Sequence, residues 1–114
     1  MHELSVAQNL LDIALHHAQQ AGAKRITDLY LLIGDLASIV DDSLQFHWDM
    51  ISQGTPAEGA RLHFERIPIE LSCTECGHTY HPEHGELACP ICAGARVKII
   101  RGEEFRLEAI EIER

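Results

Sequence analysis

The chain holds four cysteines, arranged as two Cys-x-x-Cys pairs: Cys73-Thr74-Glu75-Cys76 and, twelve residues on, Cys89-Pro90-Ile91-Cys92. Each pair can turn so that two thiolates and nearby backbone N–H groups face one point. Two such knuckles facing each other make a tetrahedral four-sulfur site, which suits zinc at a Zn–S distance of ~2.3 Å. Four soft thiolates leave no open position for water, so the site is structural rather than catalytic. Two disulfides are the bland alternative, but no secretory signal precedes the pattern and the x-x spacing strains a bridge. Rubredoxin-type iron uses similar knuckles and stands as the alternative to zinc.

At 114 residues the chain is one domain, or one domain with a small insert, and a hydrophobic fraction of 46% is enough to form a core. The formal charge is −9, from 18 acidic and 9 basic residues. That balance opposes nucleic-acid binding, which needs clustered Lys and Arg, and permits a basic protein partner or a metal cation. No basic leader precedes an apolar stretch, and no apolar run approaches membrane-spanning length. No membrane association is expected, and the cytoplasm is the expected location.

Ser5 reads as a helix N-cap with Gln8 completing a capping box, and Val6, Leu10, Ile13, Ala14, Ala18 and Ala21 then share one helical face. The first helix is expected over Val6–Ala21, with Gly22 as its stop and His16 and His17 at its surface. Ile26–Ile33 reads as a strand buried on much of both faces. Asp41 or Asp42 should cap a second helix over Ser43–Gln53. Leu44, Trp48 and Ile51 form its inner stripe, and His47 beside them reads as a satisfied core histidine.

Leu62, Phe64, Ile67, Ile69 and Leu71 form a strand whose parity changes, which suggests a bulge near Glu65-Arg66 and a kink at Pro68. His63, on the opposite parity from Leu62 and Phe64, should face solvent. A short strand leaves the zinc loop over Val97–Ile100. Phe105, Leu107, Ala109, Ile110 and Ile112 form a last strand with another phase slip. The expected fold is α+β, with two helices on one face of a three-stranded sheet and a zinc-ribbon-like finger inserted. Its boundaries are 1–71 with 102–114 for the main domain and 72–101 for the insert. The strands before and after the insert are expected to pair.

The N-terminus offers a second metal site. The Met1 α-amine, the His2 backbone nitrogen (deprotonated by the metal) and the His2 imidazole Nδ1 close a five- and a six-membered chelate ring. They place three nitrogens in one plane, the geometry preferred by Ni(II) or Cu(II). A large second residue generally blocks removal of the terminal Met, so Met1 should persist. Glu3, through its backbone nitrogen or its carboxylate, or an acid at the start of the second helix, Asp41 or Asp42, can supply a fourth ligand. The bland alternative is a frayed terminus with no role, which an ordered helix close behind the terminus would weaken.

The chain resembles the HypA/HybF family of nickel metallochaperones of nickel–iron hydrogenase maturation. The resemblance covers essentially the whole chain. It rests on Met1-His2-Glu3-Leu4-Ser5, Ile33-Gly34-Asp35-Leu36, Asp42-Ser43-Leu44, Gly59-Ala60, the two cysteine pairs and Ile110-Glu111-Ile112. It implies a nickel site at the N-terminus with His2 essential, and a structural zinc on Cys73, Cys76, Cys89 and Cys92. It also implies partnership with the maturation GTPase HypB and the hydrogenase large subunit, with urease maturation proteins served in some organisms. Some members carry a histidine after each cysteine pair. Here His78 follows the first pair, but Ala93-Gly94 follows the second, and His81 and His84 in the loop are candidate substitutes.

The expected function is therefore a nickel carrier, monomer or homodimer, and not an enzyme. Ser5, Ser38, Ser43, Ser52 and Ser72 have no partner histidine at readable spacing, so no activated nucleophile is built. The rival readings are a zinc-ribbon interaction module without a nickel role and a rubredoxin-like electron carrier.

Overall fold

The computed structural model describes residues 3–82 and 86–114. Met1, His2 and His84 lie outside them. The elements run α1 (Glu3–Gln20), β1 (Arg25–Gly34), α2 (Asp41–Ile51), β2 (Arg61–Ile67), β3 (Glu70–Cys73), β4 (Thr79–Tyr80), β5 (Val97–Arg101) and β6 (Phe105–Glu113). The fold is α+β, with one sheet ordered β2-β1-β6 and a second ordered β4-β3-β5. Two compact units result. The first comprises Met1–Leu32, Ser38–Glu65 and Arg106–Arg114, and the second Ile33–Ala37 and Arg66–Phe105. No helix among the described residues is long and apolar enough to cross a membrane.

In the first unit α1 packs on α2. The buried stripe of α1 is Val6, Ala7, Leu10, Leu11, Ala14 and Ala18. The expected stripe held Ile13 and Ala21 instead of Ala7 and Leu11. Ile13 is 48% exposed, because the buried face is centred on Ala7 and Ala14, whose small side chains admit close approach. Leu44 and Trp48 of α2 and Leu29 and Leu31 of β1 complete this core. The helix begins at Glu3, so Ser5 lies inside its first turn and is not the cap. Its end is as expected. Ala23 N–H donates to the Ala18 carbonyl and Gly22 N–H to Gln19, a Schellman closure with Gly22 at φ +68.

Helix α2 starts two residues before the expected Ser43. Its N-cap is Val40, which offers no side-chain hydrogen bond, and Asp41 and Asp42 occupy the first turn. They favour the helix through its dipole and not as caps. His47 is half-buried, and its Nδ1 is shielded from water with no hydrogen-bond partner among the described residues. The expected satisfied core histidine is therefore a correction. Strand β1 is buried at Leu29, Leu31 and Ile33 and half-buried at Tyr30 and Leu32, so its second face is only partly covered.

Strand β1, and not β2, pairs with β6. Lys24 N–H donates to the Glu113 carbonyl (2.8 Å) and Thr27 Oγ1 to the Glu111 carbonyl (3.4 Å). Ascending positions on β1 thus meet descending ones on β6, an antiparallel pair. The strands either side of the finger are the two outer strands of this sheet, which overturns their expected pairing. The long strand expected over 62–71 breaks at Pro68 into β2 and β3, since proline cannot donate to a ladder. The register shift falls between Glu70 and Leu71, later than the expected bulge at Glu65-Arg66.

His63 does not simply face solvent. Its Nε2 lies 2.7 Å from Asp28 Oδ1, and its ring stacks on Tyr30 at 4.7 Å and 12°. The hydrogen bond from His63 holds the Asp28 carboxyl below its usual value. Tyr30 donates to Glu111 Oε1 (2.6 Å), and this bond, with some burial, pushes the phenol up to about 12.

The second unit is a three-stranded sheet with loops. Leu71 and Ser72 of β3 pair antiparallel with Tyr80 and Thr79, and Leu71, Ser72 and Cys73 pair on the other side with Ile99, Lys98 and Val97. The Ile33–Ala37 segment belongs to it. Asp35 N–H donates to the Ile67 carbonyl and Leu36 N–H to Gly102. Gly34 lies so close to Gly102 that a Cβ there would collide with the Gly102 carbonyl, which explains a glycine at this position.

Candidate metal centre

The two Cys-x-x-Cys turns fold by the same hydrogen bonds. Gly77 N–H donates to the Cys73 carbonyl (2.9 Å) and Cys73 N–H to the His78 carbonyl (2.8 Å). In the second turn Ala93 N–H donates to the Cys89 carbonyl (2.8 Å) and Cys89 N–H to the Gly94 carbonyl (3.0 Å). Each turn needs a positive φ at the residue after its second cysteine. The first has Gly77 at +79° and the second Ala93 at +59°, an alanine where glycine is favoured.

These matched turns bring four sulfurs to within 4.8 Å of one another. Cys73 Sγ lies 3.6 Å from Cys92 Sγ, and Cys76 Sγ lies 3.6 Å from Cys89 Sγ. Four sulfurs held ~2.3 Å from one ion stand roughly 3.8 Å apart, so the cluster fits a tetrahedral metal. All four cysteines are free, so the disulfide alternative is not realised. Cys73 and Cys89 are buried, while Cys76 and Cys92 are exposed. The ion would sit at the edge of the unit, held from inside by the first cysteine of each pair.

The thiols differ in how readily they ionise. The backbone N–H groups of Cys76 and Glu75 hold the Cys73 thiol below its ordinary value. Burial pushes Cys89 up, but the backbone N–H groups of Cys92 and Ile91 outweigh it and bring the thiol down to about 7. At Cys92 the Gly94 N–H favours the thiolate, but hydrogen bonding with Cys73 and burial overcome it, and the thiol rises to about 12. Cys76 also lies above its ordinary value. There the His78 N–H favours the thiolate, but the bond with Cys89 and burial prevail. The four thiols thus ionise unequally on their own, and a divalent cation favours all four thiolates at once.

Two of the loop histidines, His78 and His81, have partners of their own. His78 stacks on Tyr80 with ring centroids 5.8 Å apart, and His81 Nδ1 lies 2.9 Å from the Ile69 carbonyl oxygen. Where His78 follows the first pair, Gly94 follows the second. A Cβ on Gly94 would collide with the Glu75 carboxylate and come 3.2 Å from Cys92 Sγ. The Glu75 side chain would therefore have to swing aside for any side chain at position 94. Neither Glu75 nor the strained Ala93 stood out in the sequence, although the offset of Ala93 from Cys92, equal to that of Gly77 from Cys76, was a usable signal.

Of the N-terminal candidates, Met1 and His2 lie outside the described residues. Glu3 opens α1 and is half-buried, and its Oε1 lies 3.4 Å from Ser43 Oγ in the first turn of α2. Asp41 and Asp42 lie in that same turn. Three of the predicted acids thus sit at two helix N-termini, where the helix dipoles alone favour carboxylates.

Comparison with known proteins gives the same answer along the whole chain. Residues 1–112 match the family described as HypA, hydrogenase/urease nickel incorporation, metallochaperone. A hydrogenase maturation factor HypA of Dehalococcoides mccartyi is 42% identical over 99% of this chain and 95% of its own length. One from Caldanaerobacter subterraneus is 39% identical over 99% and 100%. The hydrogenase maturation factor HybF of Salmonella typhimurium is 33% identical, also over 99% and 100%. The solution structure of the Ni metallochaperone HypA from Helicobacter pylori has the same fold, with a TM-score of 0.69 at 24% identity over 99% of this chain and 98% of that one. A second HypA solution structure gives 0.74 at 25% identity, over 98% and 96%. With α+β architecture, a four-cysteine cluster and relatives matched end to end, this chain belongs to the HypA family of nickel-incorporation metallochaperones.

Proposed function

We propose that the protein is a nickel carrier and not an enzyme. It takes one Ni(II) at its N-terminus, holds a structural Zn(II) on Cys73, Cys76, Cys89 and Cys92, and delivers nickel for maturation of nickel–iron hydrogenase. HypB and the hydrogenase large subunit are its partners on this reading, and the cytoplasm its location. The observation that carries it is family membership over residues 1–112.

The start of α1 supports the nickel site. The first N–H groups of a helix have no carbonyl four residues back, so a metal can displace the Glu3 amide proton without breaking a helical hydrogen bond. The ligand set is then the Met1 α-amine, the His2 amide and imidazole, and Glu3. The Glu3, Asp41 and Asp42 carboxylates offset the positive ends of the two helix dipoles, which would otherwise repel a cation. An N-terminal chelate near the surface stays open to an acceptor, as delivery requires.

Nickel must displace protons from amine, amide and imidazole, so its binding weakens on acidification. Titrations of Ni(II) into zinc-loaded protein at stepped pH should show affinity falling from about pH 8 to about pH 6. A flat profile would rule out the amine–amide–imidazole set.

A further inference from the structure

The two outer strands of the β2-β1-β6 sheet are finished differently. At β2 the main chain is met by a helix side chain. Leu62 N–H donates to Gln45 Oε1 (2.9 Å), and the strand stops at Ile67, before Pro68. Strand β6 is longer, nine residues, and has β1 on one side only. Because the Glu113 carbonyl faces β1, alternation turns the N–H and C=O groups of Ile112 and Ile110 to the open side.

Beside that open edge runs a groove of about 350 Å³ between β6 and α1. Ile13, His17 and Ala21 line it from the helix, and Leu107, Ile110 and Ile112 from the strand, with Glu108 at its margin. Ile13 is the residue whose helical spacing placed it in the core and whose side chain is instead 48% exposed. The opposite face of β6 is acidic. Glu113 pairs with Arg25 at 3.6 Å, and Glu111 accepts from the Tyr30 hydroxyl. Glu108 is offset by Arg106.

An open strand edge flanked by an apolar groove is a template for one more strand. Strand side chains alternate faces, so such a segment would place one set of residues in the groove and the other beside Glu111 and Glu113. We propose that β6 receives an extended segment of a partner protein in which apolar residues alternate with Lys or Arg. The apolar residues enter the Ile13–Ile110–Ile112 groove, and the cations lie along the acidic face. A second copy of this chain is the poorer occupant, because its own β6 would bring Glu111 and Glu113 against the same charges, in a chain of net charge −9.

The test uses the zinc-loaded full chain and two blocked ten-residue peptides, one alternating lysine with valine and the other glutamate with valine. Amide exchange is followed by NMR. The lysine peptide is expected to slow exchange at Ile110 and Ile112 by tenfold or more, with an effect that shrinks as salt rises. Ile13→Lys, a change at an exposed position with its fold checked by thermal melting, should weaken that peptide at least tenfold. Absence of protection by the lysine peptide would overturn the proposal, as would equal protection by the glutamate peptide. Concentration-dependent protection of the same amides without peptide, together with dimers in sedimentation, would assign the edge to a second copy and overturn it too.

Discussion

The first unit draws its buried large side chains from several elements: Leu10 and Leu11 on α1, Leu44 and Trp48 on α2, Leu29 and Leu31 on β1. In the second, the buried apolar side chains among the described residues are Ile33 and Leu71 with two cysteines, Cys73 and Cys89. One unit is held by burial of hydrocarbon. The other buries little hydrocarbon, and its four sulfurs converge where a metal could supply what burial does not. The contrast also frames the proposed division of work, in which metal at the cysteines stabilises and nickel cargo binds at the start of α1.

The largest expected effect comes from removing the cysteine-bound metal. Zinc at such sites contributes ~10–16 kcal/mol in zinc-finger peptides, more than a small unit of this kind can replace by burial. Chelation, or Cys73→Ala, should abolish exchange protection in β3 and β5 while the helical circular dichroism of α1 and α2 persists. A single transition that melts both units would break the contrast. Metal analysis should return one zinc per chain in a colourless protein, and a red, iron-bearing protein would replace zinc in this account.

Next in size is the converse experiment. Trp48 is 0% exposed in the first unit, and Trp48→Ala should cost about 3–5 kcal/mol. Zinc stoichiometry should hold at one, because no cysteine belongs to that unit. Loss of zinc from this variant would show that the units share their stability.

A smaller effect separates the two knuckles. Ala93 adopts the left-handed φ that Gly77 supplies in the first turn. Ala93→Gly should raise the midpoint of the second unit's unfolding, a gain of about 1 kcal/mol, and Gly77→Ala should cost about the same. Equal midpoints in all three proteins would contradict the backbone reading.

The smallest effect lies at the sheet surface. The folded Tyr30 phenol titrates at about 12, above its ordinary ~10. A raised value favours the protonated form, so its contribution is present in full below pH 10 and is lost as pH rises through about 12. Ultraviolet titration should show this late ionisation, and Tyr30→Phe should remove it.

The cysteine cluster was legible because local spacing dictates it. Two residues between thiols fix each turn, and nothing distant is needed. The α+β class and the end of α1 at Gly22 were legible for the same reason, and so was a disturbance at Pro68, although it breaks the strand where a kink was expected. Strand order was not, since β1 inserts between β2 and β6 by a choice made in tertiary packing. Helix starts were misplaced because Ser5 and Asp41 look like caps, yet both lie inside the first turn, where small and acidic residues are also favoured. Ile13 obeyed the helical period and still lies outside the core, since periodicity locates a face without fixing how wide a band is covered. His63 was read from parity alone, and its pairing with Asp28, 35 positions away, is invisible at that range.

On the proposed function, nickel binds at the head of α1 and not at the cysteines. Calorimetric titration of Ni(II) into zinc-loaded protein with a native, untagged N-terminus, beside His2→Ala, tests it most directly. One nickel per chain is expected in the former, none in the latter, and zinc unchanged in both. Undiminished nickel binding by His2→Ala would contradict it, and so would nickel that enters only as zinc leaves.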